Sequence, residues 1–401
     1  MSVRGIRAAL QRRSALPFVV PCGAAALWLA IWSGARHDYS FFLGEWAAVM
    51  EGGPQATGRG LNAYGPGFNA FAVFAAAHPL LPKLIFVGAW LAVAAWLIRK
   101  ADQAGPDRTA GWIVFVAVVL NPLFWTHTVL YGTFDSVVAL ACLGALGLMG
   151  RGRDGMAGAS LSVAVLLKYY PLALVPFFAF HGRRFNRRFT IGFVGTTVAG
   201  LFLAFAIWGP GVLHALEFAA ERPSKLMSVF RFLRGSLSPL QFVTPEPDLD
   251  FLSVPLVVAC GFLVWVWTLR HREALVPSTV LAMLTALTLY KVGHLQFQIV
   301  LVLLLTFWYV DGRLLAKPSP RRDWRVVAYV AYVAAVSAAY EVTRFIVGGR
   351  RGMEGPFDVL RDLVGLPAFL LACALVAVLL KPEVPRASDD ARRPTDLRRQ
   401  K

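Results

Sequence analysis

The sequence predicts an all-α polytopic membrane protein with about 12 transmembrane helices. Of the 401 residues, 57% are hydrophobic and only 16% are charged, and the mean hydropathy is +0.59. A soluble globular protein carries about 25% charged residues. Long apolar runs recur from Pro17 to Leu380, and arginine-rich segments separate them. This pattern excludes a soluble enzyme, a disordered chain and a peripheral amphipathic protein.

The first apolar run follows four arginines, so it is either a signal peptide or a signal anchor. Because many spans follow, we expect an uncleaved anchor with a cytoplasmic N-terminus. We divide the run 156–181 at Pro171, because proline interrupts a helix and an undivided helix would export the arginines that follow. The stretch 66–80 is interpreted as a membrane-surface or half-inserted helix, because a full span there would invert all later segments. The predicted spans are 17–33, 83–99, 110–127, 134–150, 156–169, 170–181, 189–208, 251–269, 274–290, 294–310, 325–346 and 359–380.

The charge distribution predicts the orientation in the membrane. Segments assigned to the cytoplasm hold 27 of the 40 Lys and Arg residues, and the whole net charge of +17 falls on that side. This is the positive-inside pattern, so the basic composition indicates a multi-pass cell-membrane protein and not a nucleic-acid-binding protein. We predict a cytoplasmic basic N-terminus (1–16), one transmembrane domain (17–380) and a disordered cytoplasmic tail (381–401). The two large loops, 34–82 and 209–250, then face outward and should carry the chemistry.

The first outer acid is Asp38, directly after the first span. It precedes an amphipathic surface helix with Phe41, Phe42 and Trp46 at helical spacing. Asp38 therefore caps this helix or acts as a functional carboxylate. Glu45 and Glu51 are interpreted as residues of the solvated face.

Two further ionisable residues lie near hydrocarbon. Asp135 opens the fourth span, where it caps the helix or faces a cavity. Lys168 lies at the deep turn of the divided run, where a charge costs roughly 2.5–3.5 kcal/mol. Its partner is a protein carboxylate such as Asp135 or a lipid phosphate, unless the side chain snorkels outward.

A third group precedes the tenth span. Lys291, His294 and Gln298 follow helical spacing and would form one polar stripe at the membrane mouth, suited to a polar ligand. The Asp248-Leu-Asp250 pattern is more typical of a turn and helix cap than of a metal site. We predict no metal and no cofactor. The four cysteines lack paired spacing, so they indicate packing residues.

Several motifs resemble the GT-C glycosyltransferases, polytopic enzymes that use a polyprenyl-phosphate sugar as donor, and in particular the bacterial polyprenol-phosphate-mannose-dependent mannosyltransferases. Thr133 stands where many members have Gln. The motifs are Asp38 with Phe42, Asn62-Ala-Tyr64-Gly-Pro-Gly67, Tyr131-Gly-Thr-Phe-Asp135, Lys168-x-x-Pro171 and the segment Lys291–Gln298.

The resemblance implies a GT-C-like fold and a sugar, with mannose expected, transferred from a polyprenyl-phosphate donor to a glycan or glycolipid acceptor. It implies Asp38 as the catalytic base and Lys168 near the donor phosphate. We assign a substrate-binding role to Asp135, Lys291, His294, Gln298 and Tyr64. Reaction would occur at the extracytoplasmic face with inversion and without a metal. The alternative is a transporter or flippase of a lipid-linked glycan, although such a protein normally places ionisable groups near mid-membrane on duplicated halves.

Overall fold

The computed structural model describes residues 13–36, 38–51, 64–104, 108–181, 184–213, 222–235, 238–239, 249–271, 274–315, 320–347 and 362–380. Within these ranges the chain is almost entirely helical, apart from a short antiparallel pair, β1 (Phe180–His181) and β2 (Arg184–Phe185). The first twelve residues and the predicted tail 381–401 lie outside the described residues, so the domain limits stay predictions.

The helices follow the predicted spans closely. Thr109–Leu130 is one apolar segment in which α5 and α6 each continue as π-helical turns. The helices are α1 (Leu16–Ser33), α2 (Asp38–Glu51), α3 (Phe71–Ala77), α4 (Leu81–Gln103), α5 (Thr109–Val114), α6 (Pro122–Phe124), α7 (Asp135–Met149), α8 (Asp154–Leu167), α9 (Val175–Ala179), α10 (Arg187–Trp208), α11 (Val229–Arg234), α12 (Ser253–His271), α13 (Leu275–Leu289), α14 (Gln298–Leu315), α15 (Pro320–Val347) and α16 (Gly365–Leu379).

Six helical segments in the described ranges are long and apolar enough to cross a membrane, and seven further apolar helices are shorter. Each predicted span overlaps one of these helices, which confirms an all-α polytopic membrane protein. Pro66–Ala77 has 12 residues, which span about 18 Å at 1.5 Å per residue, against a hydrocarbon core of about 30 Å. This length is consistent with the predicted membrane-surface or half-inserted helix.

Hydrogen bonds define two ends of the helix bundle. At the site end, which carries residues 33–36, 64–67, 131–135 and 290–294, loops that join the helices contact one another. At the opposite end, Lys100 Nζ lies 2.7 Å from Asp311 Oδ1. Helices that connect the two ends therefore alternate in direction, and the side of the membrane that each end faces stays a prediction.

The division of the run 156–181 is confirmed. The helix α8 ends at Leu167, Lys168 has extended backbone, and a 3-10 turn begins at Tyr170, directly before Pro171. Proline and the restricted residue before it account for this break.

The helices α8 and α10 pack with their backbones in contact, and this contact supports the Lys168 turn. A Cβ atom on Gly158 would lie 2.2 Å from the carbonyl oxygen of Phe189, and one on Gly192 would lie 2.0 Å from that of Gly155. Small residues allow such close approach in membranes, where van der Waals packing replaces the hydrophobic effect between helices. The position of Lys168 therefore depends on glycines that lie several turns away.

Candidate functional site

The centre of the site is a buried ion pair between Asp135 and Lys168. Lys168 Nζ lies 2.7 Å from Asp135 Oδ2 and 2.8 Å from Oδ1, and the Tyr170 hydroxyl donates to Oδ1 at 3.2 Å. The Asp135 side chain is fully buried and that of Lys168 is 3% exposed. Of the partners considered for Lys168, the structure therefore shows the protein carboxylate, and snorkelling was the wrong alternative.

Three aromatic rings surround the Lys168 ammonium. Nζ lies 4.6 Å from the ring centroid of Phe134, 4.9 Å from Phe297 and 5.1 Å from Tyr64. A cation at such distances is attracted by the electron-rich ring face, more strongly when water is excluded. The rings come from three separate segments, so the cation joins the loops at the site end.

The turn before Asp135 depends on glycine. Gly132 has φ +61°, and a Cβ atom there would lie 2.5 Å from Cδ2 of Tyr39. Positive φ disfavours other residues, and the contact leaves no room for a side chain. Gly132 thus lets the Asp135 loop pack directly against the start of α2.

Tyr64 is positioned by its own loop. The Gly65 N–H donates to the carbonyl oxygen of Leu167 at 3.1 Å, which satisfies an acceptor at the end of α8. A Cβ atom on Gly65 would lie 2.2 Å from the carbonyl oxygen of Leu166, so only glycine allows this approach. The Tyr-Gly-Pro-Gly motif therefore places Tyr64 directly beside the Lys168 turn.

Asp38 stands at the first residue of α2, where the positive end of the helix favours a carboxylate. The helix is anchored by Trp46, whose indole N–H donates to the Phe68 carbonyl oxygen at 3.0 Å. The Asp38 charge reaches both Tyr64 and Lys168. Burial raises the pKa of Tyr64, the Asp38 charge raises it further, and Arg222 lowers it. Asp38 is thus near enough for its charge to act on Tyr64 and Lys168, and its role as base or as helix cap stays a prediction.

One prediction on α2 was wrong. Glu45 is only 9% exposed, and its Oε2 has no hydrogen-bond partner among the described residues, whereas Glu51 is exposed as expected. Burial raises the pKa of Glu45. Two turns separate Glu45 from Asp38, so both lie on one helix face, and this face packs inward instead of facing solvent.

The predicted polar stripe before the tenth span was also wrong. Lys291 and His294 lie in non-helical backbone, and the 3-10 turn begins only at Leu295, so helical spacing does not apply. Gln298 accepts a hydrogen bond from the Tyr329 hydroxyl at 2.8 Å and lines a separate cavity of about 10 Å³. Gln298 therefore lies apart from the Lys168 site, and the 8% exposed Lys291 contributes its backbone to a loop contact.

The contact with Lys291 brings a residue to the site that the sequence pattern missed. Lys225 N donates to the carbonyl oxygen of Lys291 at 3.0 Å, and Met227 N donates to that of Gly293 at 2.8 Å. This pairing holds Arg222 Nη2 at 2.7 Å from Nε2 of His294. Arg222 and His294 are 72 positions apart, so no local spacing could reveal their contact.

Asp250 and Glu341 form hydrogen bonds that link segments of the fold. Asp250 Oδ2 accepts the Ser224 N–H at 2.8 Å, and Glu341 accepts a hydrogen bond from the Tyr131 hydroxyl. Asp248 and the Arg344 side chain lie outside the described residues. In the part of the chain that the structure describes, no three His, Cys, Asp or Glu side chains are arranged to hold a metal ion.

A cavity of about 1000 Å³ leads away from the ion pair. Lys168, Arg222 and Tyr64 line its polar end, and apolar side chains line the rest as far as Phe180 and other aromatic residues near the opposite end. Phe180 follows Lys168 by twelve positions, which is about 18 Å at the α-helical rise and more than half of a hydrocarbon core. Such a cavity suits an amphipathic molecule with an anionic head and an apolar chain.

A polytopic helical bundle with a large, mostly apolar cavity that reaches a charged cluster defines the class of integral membrane proteins. The family model of Glycosyltransferase family 87 matches residues 62–290, more than half of the chain. The chain belongs to this family and is a membrane glycosyltransferase. No curated protein matches it significantly. The matched range contains Tyr64, Asp135, Lys168 and Arg222, whereas Asp38 lies before it.

Proposed function

We propose that this enzyme transfers a sugar, with mannose expected, from a polyprenyl-phosphate donor to a glycan or glycolipid acceptor. The cavity carries the proposal, because it joins a cationic end to a long apolar wall within one space. A polyprenyl phosphate has the same two parts. A nucleotide sugar has no apolar chain that could pack against the apolar side chains, so it fits this cavity poorly.

The donor phosphate binds at the polar end of the cavity. Asp135 already balances the charge of Lys168 through both carboxylate oxygens, so Lys168 holds the site together more than it attracts an anion. Arg222 lines the same end, and its guanidinium can donate two parallel hydrogen bonds to a phosphate. The role predicted for Lys168 is therefore shared, with Arg222 as the main phosphate ligand and Lys168 beside it.

Asp38 acts as the general base. The acceptor hydroxyl attacks the anomeric carbon while Asp38 takes its proton, and the bond from that carbon to the phosphate oxygen breaks. The electron pair stays on the polyprenyl phosphate, where the cations stabilise it. A positioned base gives a typical acceleration of 10²–10⁴-fold. Direct displacement inverts the anomeric centre, and this mechanism uses no metal.

The reaction takes place at the extracytoplasmic face of the cell membrane. The positive-inside charge pattern places the loops of the site end on that side. To test this, single cysteines at Ser40 and Arg151, both exposed, are introduced into a cysteine-free protein. An impermeant thiol reagent applied to intact cells should label position 40 and leave position 151 unlabelled. The reverse pattern would refute the orientation.

The decisive experiment compares donors with purified enzyme in lipid vesicles. Radiolabelled polyprenyl-phosphate mannose, polyprenyl-phosphate glucose and a nucleotide-linked mannose are each offered with a panel of mannosides and glycolipids. We expect transfer from the polyprenyl-phosphate donors, fastest with mannose, and loss of transfer in Asp38→Asn. Transfer from the nucleotide sugar alone would refute the lipid donor. The family membership argues against the alternative of a flippase. Movement of the lipid-linked sugar across the vesicle membrane without sugar transfer to an acceptor would favour the flippase instead.

A further inference from the structure

Lys83 is a buried cation at the site end that the mechanism above does not use. Its side chain is fully buried near the start of α4. Nζ donates to Ser33 Oγ at 2.8 Å, to the carbonyl oxygen of Gly34 at 2.9 Å and to that of Leu130 at 3.0 Å. All three ammonium protons are thus used, and every acceptor is a neutral oxygen.

The acceptors explain why a lysine occupies this position. Gly34 follows the end of α1, and Leu130 ends the segment Thr109–Leu130. The last carbonyl groups of a helix lack intrahelical partners and carry partial negative charge. One ammonium therefore caps two helix ends at once, which an apolar side chain could not do.

Both capped helices lead directly into the acids of the site. Asp38 follows Gly34 by four residues, and Asp135 follows Leu130 by five. Tyr39 fills the space between the two segments, and its ring packs on Gly132. The Tyr39 hydroxyl accepts a hydrogen bond from the backbone N–H of Lys83 and donates one to the Pro79 carbonyl oxygen. Lys83 is consequently the point at which the Asp38 segment and the Asp135 segment are joined.

We propose that Lys83 is a positioning residue that fixes Asp38 relative to the Asp135–Lys168 pair, and so sets the distance between the base and the donor. The inference rests on the proposed function, because it acts through Asp38 as base. Lys83 touches neither donor nor acceptor. Its loss should therefore lower kcat and leave both KM values nearly unchanged, since a displacement of about 1 Å costs roughly 10²-fold in rate.

The test is a double-mutant cycle with Lys83→Met and Asp38→Asn, measured with polyprenyl-phosphate mannose and the best acceptor of the wild-type enzyme. If Lys83 acts through Asp38, Lys83→Met slows the wild type by roughly 10²-fold but adds little to Asp38→Asn, because groups that act as a unit are not additive. Additive losses, or a loss expressed in donor KM, would overturn the inference while the glycosyltransferase assignment stands. If the wild type transferred no sugar from any polyprenyl-phosphate donor, the proposed function itself would fall.

Milder and matched variants keep the test informative if Lys83→Met folds poorly. Ser33→Ala removes one acceptor and should lower kcat partially, again without a further effect in Asp38→Asn. Lys100→Met removes the lysine that pairs with Asp311 at the opposite end, and its kcat should be that of the wild type. Spin labels at the exposed positions Phe41 and Leu140 give a second readout, because Lys83→Met should broaden their distance distribution. An unchanged distribution together with normal kcat in Ser33→Ala would refute positioning.

Discussion

Removal of the Lys168 ammonium should destabilise the protein strongly, and removal of both partners should restore most of the stability. In Lys168→Met, the Asp135 carboxylate stays fully buried without its cation. Breaking one half of a buried pair costs about 3–5 kcal/mol, because an uncompensated charge remains in a medium of low dielectric constant. At 1.4 kcal/mol for each factor of ten, this is roughly a 10²- to 4 × 10³-fold change in the unfolding equilibrium. In Lys168→Met with Asp135→Leu neither charge of this pair remains, so the loss of stability should largely disappear.

The assay compares unfolding midpoints of the detergent-solubilised variants with their donor dependence. Lys100→Met is the matched control, because the Lys100–Asp311 pair has similar geometry but its side chains are 23% and 24% exposed. Such a partly solvated pair contributes about 0–1 kcal/mol, so the control should unfold close to the wild type. The double variant should be stable yet inactive.

Two results would contradict this reasoning. If Lys168→Met unfolded at the wild-type midpoint, the ion pair would not hold the site together. If the double variant were as unstable as the single variant, the loss would arise from packing and not from the stranded Asp135 charge. Donor dependence separates the two roles of Lys168: an increased donor KM in Lys168→Met indicates a direct phosphate contact, and an unchanged KM limits Lys168 to its contact with Asp135.

Three other variants test separate parts of the site. Arg222→Gln should raise donor KM by roughly tenfold or more and leave acceptor KM unchanged, since a charge-assisted contact contributes about 1.5–3 kcal/mol. Arg234→Gln is the control. Equal donor KM values in Arg222→Gln and Arg234→Gln would contradict the phosphate role of Arg222. Gly132→Ala should prevent stable folding, because it combines positive φ with a contact of 2.5 Å to Tyr39, so a normal melting temperature would refute the packing argument. Glu45→Gln should raise the melting temperature at pH 7–8, because burial raises the folded-state pKa of Glu45 and the ionised carboxylate therefore destabilises the folded protein as pH rises. Below the ordinary glutamate pKa of about 4.3, the substitution should change the melting temperature little. A lower melting temperature of Glu45→Gln at pH 8 would show that the ionised carboxylate is stabilising.

The sequence predicts those features that depend on local rules. Proline geometry marks the break at Pro171, and the cost of a charge near hydrocarbon indicates that Lys168 needs a partner such as Asp135. Both expectations are confirmed because each follows from one segment or from one energetic requirement. Charge bias also acts on each loop separately, and the orientation that it predicts stays a prediction.

Other features depend on contacts between distant segments. Arg222 meets His294 only because the backbone of 225–227 forms hydrogen bonds with that of 291–293, and no periodicity encodes that pairing. The stripe of Lys291, His294 and Gln298 failed because helical spacing was applied to extended backbone. Lys83 was overlooked because two of its three acceptors are backbone carbonyl groups, which no side-chain pattern reveals.

The position of the family match has a consequence for specificity. Its range, 62–290, contains Tyr64, Lys168 and Arg222, which line the polar end of the cavity, and Asp135, which pairs with Lys168. Asp38 and His294 lie just outside it, yet α2 and the 290–294 segment bring both to the site end, where His294 contacts Arg222. In the proposed mechanism, the matched range therefore supplies the donor end, and the flanking segments supply the base and a wall near the phosphate. Since the acceptor must meet Asp38, the segments outside the family match are the ones whose exchange between relatives should change the acceptor while the lipid donor stays the same.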